Sequence, residues 1–240
     1  MIKFVDYTPP LIVISFDDGV YTDFTTAYQI MKSKDVPFGT SYIVTSLGPP
    51  TYMTWGQMKI MMNDGWDIQC HTHTHQWLTD LTEQEVHQEF QNVDNAFVAN
   101  KGKPPRHLAT PGNRSNALVK SVAEQYRDSM LIAVSDTDNQ YETEAMALKK
   151  INADIKDQAQ MDIVKTAIDD VKNNKGIGIM RSHAVLSSPP GNPYYCLTHY
   201  FEEMIDYILS QDIQIVTISD AYKALMRYQN RFIAPIFVQQ

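Results

Sequence analysis

Leu11-Ile12-Val13-Ile14-Ser15-Phe16-Asp17-Asp18-Gly19 is the stretch whose reading decides the fold. Its first six residues are a short apolar run of the kind that forms a strand buried on both faces. Asp17-Asp18-Gly19 ends that run with a turn signal. Working outward, Phe24, Ala27, Tyr28, Ile30 and Met31 recur at spacings of three and four, one face of a helix, and Gly39 to Val44 reads as a second strand. Strand, turn, helix, strand is the βαβ rhythm.

The rhythm runs on through the chain. Helices are expected over about 54–63, 82–100, 116–126, 160–173, 198–210 and 220–228, and strands over 66–70, 107–109, 129–134, 177–181 and 213–218. Thr82 with Glu85 three residues on is a capping-box pattern. The stretch from Asp136 to Asp154 reads as irregular. About seven strand and helix units without a Ser/Gly/Pro-rich linker predict one α/β domain over 1–240, with a core of about 11–228 and a tail at 229–240.

Composition excludes several function classes. The 240 residues are 43% hydrophobic, enough to bury a core and too apolar for disorder. Nowhere do eighteen apolar residues run together, so no membrane span is expected. Acidic residues outnumber basic ones 28 to 20, a formal charge of −8, and no Lys/Arg cluster offers a surface for a phosphate backbone. Nucleic acid is therefore not an expected partner. The start, Met1 to Asp6, lacks a signal-peptide pattern. Cys70 closes an apolar strand, and a buried free thiol is the reading preferred for it over a disulfide with Cys196.

In a barrel of parallel strands, functional groups gather where strands end. Asp17 and Asp18, His71 and His75, Thr110 to Asn113, Asp136 and Asp138, and His183 all follow expected strand ends. His71-Thr72-His73-Thr74-His75 is the densest cluster. If a helical turn starts there, His71 and His75 share a face and both imidazoles reach one metal ion, while His73 points elsewhere. Two imidazoles and a carboxylate leave open positions, the pattern of a catalytic metal site. Asp17-Asp18 offers the carboxylate: adjacent residues leaving a strand point apart, so one can bind the ion and the other can take a proton from water.

These two stretches carry a family resemblance. Ser15-Phe16-Asp17-Asp18-Gly19 resembles the first motif of the polysaccharide deacetylases, family 4 carbohydrate esterases with the NodB-homology fold, and His71 to His75 resembles their second. The resemblance implies a distorted (β/α)7 barrel, Asp17 as general base, and Asp18, His71 and His75 as ligands of a divalent ion, Zn2+ first, with Co2+, Ni2+ and Mn2+ open. It implies removal of acetyl groups from an acetylated glycan, and a polymer substrate points to an extracellular or cell-surface setting. His183 in Arg181-Ser182-His183 is similar to the fifth-motif general acid, and Asp136 to the fourth-motif Asp. The third motif is altered: Thr110-Pro111-Gly112-Asn113 keeps Pro111, while the preceding Arg and the aromatic residue are missing. Arg181 is the expected substitute for that Arg in holding Asp17, and the loop after His107 is expected to offer a backbone N–H to an oxyanion.

Tyr194, in the Pro-rich loop beyond His183, is placed to stack a sugar ring, and Trp77 could line the cleft. Asn113-Arg114-Ser115 fits a glycosylation sequon, discounted because it sits on the presumed active rim. Two rival functions stand beside the deacetylase: a non-catalytic glycan-binding module, and an amide hydrolase acting on a small non-sugar amide. An O-acetyl leaving group would use the same apparatus.

Overall fold

Alternation along the first strand sorts its side chains to two sides. In the computed structural model, which describes residues 8–36, 38–134 and 144–233, Leu11 and Val13 belong to one buried apolar cluster and Ile12, Ile14 and Phe16 to another. The first cluster draws Tyr42, Ala109, Leu131, Leu148, Ile177 and Ile179 from strands all round a ring, so it fills the interior of a barrel. The second packs the barrel's outside against helices.

The strands and helices in order are β1 (Leu11–Phe16), α1 (Tyr28–Ser33), β2 (Thr40–Ile43), α2 (Trp55–Asn63), β3 (Asp67–Cys70), α3 (Glu83–Ala99), β4 (His107–Ala109), α4 (Ala117–Ala123), β5 (Ser129–Val134), β6 (Leu148–Asn152), α5 (Gln158–Asn173), β7 (Ile177–Ser182), β8 (Ala184–Leu186), β9 (Tyr195–Leu197), α6 (Thr198–Ser210), β10 (Gln214–Val216) and α7 (Ile218–Ile233). A π-helical turn, Asp23–Ala27, leads into α1. Strands β1 to β7 neighbour one another in sequence order, all parallel, and β7 pairs back onto β1. The chain thus forms the (β/α)7 barrel. Its distortion has a visible source: on one edge of β1, Leu11 to Val13 pair with β10 and only Ser15 and Phe16 with β2.

Several elements differ from expectation, among them β8 and β9, a short parallel pair that the sequence pattern does not suggest. β6 lies inside the stretch read as irregular, and α7 runs to Ile233 instead of ending at Tyr228. β6 matters for the site, because its inward side carries Leu148 and then Lys150. Both cysteines are buried free thiols. Among the described residues, no helix is long and apolar enough to cross a membrane.

The start of α7 crosses the N-terminal end of the barrel through a polar network. Ser219 Oγ donates to Asp67 Oδ2 (2.6 Å), His107 Nε2 lies 3.1 Å from Ser219 Oγ, and His107 Nδ1 lies 2.8 Å from Ser129 Oγ. Since the Ser219 proton goes to the carboxylate, Nε2–H donates to Ser219 and Nδ1 accepts from Ser129, a fully satisfied neutral ring. Burial pushes His107 down to about 4, with Asp67 opposing. Unfolded, the ring titrates near 6.5, so from pH 6.5 down to 4 the unfolded chain takes a proton that the folded chain refuses. Stability therefore falls with falling pH, by ~3 kcal/mol across that window from this group. Urea unfolding of wild type and His107→Gln at pH 7, 5.5 and 4 checks this; equal slopes for both proteins would refute it.

Candidate active site

Continuing the two-residue period of β1 past Val13 puts Ser15 and then Asp17 on the inner side, at the C-terminal mouth of the barrel. The same period on β7, Ile177, Ile179, Arg181, brings Arg181 inward and leads to His183. Register keeps these levels together: Phe16 pairs with Ser182, and Asp17 N donates to Ser182 O at 2.9 Å.

Asp17 is buried, and its Oδ2 accepts from Lys150 Nζ at 2.8 Å, with Arg181 Nε farther off at 3.8 Å. Burial would raise this carboxyl; the charge of Lys150, joined by that of Arg181, outweighs burial and holds it well below the usual carboxylate range. Asp17 Oδ1 is buried without a hydrogen-bond partner. Lys150, rather than the expected Arg181, is thus the nearest cation to Asp17. The sequence pattern does not reveal it, because it lies on the strand that reads as irregular.

Asp18 turns away from Asp17 by adopting a left-handed conformation, φ 77°, which a short polar side chain tolerates. Gly19 follows at φ 72°, where a Cβ would come within 2.7 Å of the Ile43 side chain. Asp18 Oδ1 then lies 3.3 Å from His71 Nε2 and 3.2 Å from His75 Nε2. No helical turn brings the two histidines together. Residues 71–75 form an irregular loop with positive φ at Thr72 (70°) and His75 (63°). Glu89 of α3 holds it in shape, accepting from His73 N, Thr74 N and Thr74 Oγ1 at 2.8, 2.9 and 2.7 Å, while His75 N donates to Thr72 Oγ1. His73 points aside, to Thr45 Oγ1.

The donor chemistry fits a cation. His71 Nδ1 lies 2.7 Å from the carbonyl of Ala109, which can only accept, so Nδ1 carries a proton, and this leaves Nε2 as the nitrogen whose lone pair a metal ion would take, turned toward a carboxylate oxygen. In that tautomer the imidazole lone pair and the carboxylate oxygen are two acceptors facing one point, the arrangement that a cation between them satisfies. The ligand atoms of Asp18, His71 and His75 all fall within 4.8 Å of one another. Where no ion lies between them, the contact is made instead by Nε2–H donors: burial raises the Asp18 carboxyl, but hydrogen bonds from the two imidazoles prevail and keep it far below the ordinary range, and the same contact raises His75.

His183 stands across the same cleft. Its Nδ1 lies 2.8 Å from Asp154 Oδ2, its backbone N–H donates to Asp154 Oδ1 at 2.9 Å, and Arg181 Nη1 donates to Asp154 Oδ2 at 2.9 Å. The same guanidinium nitrogen lies 2.8 Å from Nδ1 and 3.4 Å from Nε2, and Nε2 is the ring nitrogen without a carboxylate. Burial raises the Asp154 carboxyl, and its bonds to His183 with the Arg181 charge more than reverse this, leaving it below its ordinary value. Asp154 is not among the residues expected from the sequence. Asp136, which is, lies outside the described residues.

The cleft encloses about 370 Å³ and is lined by Asp17, Asp18, His71, His75, Trp77, Gly112, Asn113, Arg181, His183 and Tyr194. Gly112 sits at φ 64° in a short turn, Pro111–Asn113, and a Cβ there would meet Trp77 Nε1 at 2.7 Å. Tyr194 packs against the His183 ring, centroids 4.9 Å apart. Pro111, which opens that turn, is buried.

A parallel barrel with a paired carboxylate and two imidazoles on one rim defines the class: a candidate metal-assisted hydrolase centre. The chain belongs to the polysaccharide deacetylase family, whose model matches residues 5–128. A curated relative, the putative polysaccharide deacetylase YxkH of Bacillus subtilis, is 28% identical over 114 residues, 48% of this chain and 41% of that protein. The match thus spans less than half the relative's length. Among solved structures the fold is similar to the chitin deacetylase of Colletotrichum lindemuthianum (TM-score 0.65, 16% identity, 89% of this chain and 87% of that chain). It is also similar to a family 4 carbohydrate esterase from Streptomyces lividans (TM-score 0.61, 16% identity, 90% and 96%). Lys150, Asp154, Arg181 and His183 all fall beyond the family match, so their placement rests on geometry.

Proposed function

We propose that this cleft hydrolyses the acetyl amide of N-acetylated sugars in a polysaccharide, with a divalent ion held by Asp18, His71 and His75. The carrying observation is that three side chains able to hold an ion, a buried carboxylate with one free oxygen, and a carboxylate-anchored imidazole line one cleft. Zinc suits a site with two nitrogen donors, and such an ion supplies Lewis acidity toward the acetyl carbonyl and toward water.

Asp17, kept ionised beside Lys150, accepts the proton of the attacking water at Oδ1, the oxygen with no other partner. The Gly112 N–H, in the turn that lines the cleft, donates to the carbonyl oxygen as it gains charge. Asp154 accepts from Nδ1–H and orients His183, which, doubly protonated, passes its Nε2 proton to the departing nitrogen and keeps the one on Nδ1. Acetate and a free amine leave. An O-acetyl ester would be cleaved by the same groups. Similarity to a chitin deacetylase supports N-acetylglucosamine polymers as the first substrates to try.

Acetate release from N-acetylated oligosaccharides by zinc-loaded and chelator-stripped protein tests the reading. The loaded protein is expected to turn over and the stripped one not, and Asp17→Asn and His183→Ala are each expected to lower kcat/KM by roughly 10²–10⁴-fold. No release from any acetylated glycan, with glycan binding intact, would replace the enzyme with a binding module. Turnover of small amides alone would favour the non-sugar hydrolase.

A further inference from the structure

One cation on the cleft rim has no part in that chemistry. Arg106, Arg127 and Arg181 each pair with an aspartate: Asp128, Asp94 (2.8 Å) and Asp154 (2.9 Å). Arg114 instead lies over the indole of Trp77, its guanidinium carbon 3.6 Å from the ring centroid. It is exposed, follows the cleft-lining Asn113, and has no carboxylate among its described partners. Stacking on an aromatic face fixes a guanidinium plane without using its N–H donors, so the five-donor fork stays open.

The platform itself is fixed. Gly112, with its positive φ, lets the indole approach to a distance no side chain would allow, and Trp77 in turn lines the cleft while remaining 44% exposed. A sugar whose acetyl group reaches the Asp18, His71 and His75 triad has this arginine at the edge of its binding surface. An oriented, unpaired guanidinium suits a planar anion held through two parallel N–H bonds.

We propose that Arg114, seated on Trp77, forms a subsite for an anionic substituent, a carboxylate, carried by the glycan beside the acetylated sugar. This inference rests on the glycan reading of the cleft and adds the charge of the preferred substrate. The protein's overall charge of −8 works against any anion, so a preference for one is the signature of a local cation and not of the general field.

A matched pair of probes tests it: an oligosaccharide of alternating N-acetylglucosamine and glucuronate, and the same oligosaccharide with its carboxylates reduced to alcohols. Equilibrium binding to zinc-loaded Asp17→Asn protein avoids turnover, and acetate release is followed in parallel with wild type. The carboxylate form is expected to bind about tenfold tighter, the size of one charge-assisted contact at an exposed site. The ratio should fall to near one in the Arg114→Ala, Asp17→Asn double variant, recover partly with Arg114→Lys, and shrink as salt is raised. Equal binding of the two probes, no binding of either, or a ratio unchanged by Arg114→Ala would overturn the subsite. A tenfold binding preference with no acetate released from either probe would retain the subsite and count against the deacetylase reading, so the two failures are separable.

Discussion

Asp18→Ala protein will bind no stoichiometric zinc after chelator treatment and reloading, and its acetate release will fall by on the order of 10³-fold or more. Asp18 Oδ1 is the one atom that both imidazole nitrogens face, at 3.3 and 3.2 Å. Without it, two neutral nitrogens remain, and a divalent ion loses its only compensating negative ligand. Thermal unfolding adds a readout independent of substrate. An ion that binds only the folded state raises the melting temperature of wild type as its concentration rises, and the variant should lose that dependence. The variant should still fold, since Asp18 is partly exposed and the strain of an alanine at φ 77° costs only about 1–2 kcal/mol. Stoichiometric zinc in Asp18→Ala, together with undiminished acetate release, would remove these three residues from the centre of the reading.

The same turn shows how much of the site is legible in the amino-acid sequence. Leu11 to Phe16 is apolar on both faces, so a strand covered by helices outside and packed within follows from the pattern, and a strand end is where a barrel puts its chemistry. Asp17, Asp18, His71, His75 and His183 all come out of that rule. The way the histidines meet does not. Spacing of four suggests a helical turn, whereas the loop is bent by positive φ at Thr72 and His75 and held by Glu89, sixteen residues beyond His73. A long-range carboxylate on backbone N–H groups leaves no local periodicity to find.

Lys150 is hidden for a related reason. Leu148-Lys149-Lys150-Ile151-Asn152 reads as polar, and a lysine is ordinarily a mark of solvent. Only tertiary pairing, of Leu148 to Lys150 with β5 and of Ile151 and Asn152 with Met180 and Arg181 of β7, establishes the strand, and within it Lys149 is exposed while Lys150 is fully buried. Asp154 escapes likewise: it lies two residues past β6, and Ala153 N donates to Arg181 O at 2.7 Å, carrying the β6–β7 ladder onward to the level of His183. Groups at strand ends are visible from sequence; groups on a strand that only tertiary pairing defines are not.

Lys150→Met is therefore expected to act twice, on stability and on the pH profile. Asp17 and Lys150 are a buried pair joined at 2.8 Å. Removing one partner strands the other charge in the barrel interior, a loss of about 3–5 kcal/mol. Adding Asp17→Asn to Lys150→Met should recover much of that loss, because no charge is then left unpaired. A purely steric role for the lysine would predict no such recovery, and urea unfolding of the three proteins distinguishes the two. The sign of the pH effect follows from the balance at Asp17: burial raises its carboxyl, and the Lys150 charge is the largest influence lowering it. In wild type the folded value lies below the unfolded one of about 3.9, so the stabilisation from Asp17 is complete above that pH and is lost as pH falls below it. Without the lysine, burial is opposed chiefly by the more distant Arg181, and the value rises. Since a base works only when ionised, the acid limb of kcat/KM in Lys150→Met moves to higher pH and the plateau shrinks from its acidic side. An acid limb that stays in place in a folded Lys150→Met protein would show that the lysine does not hold the base.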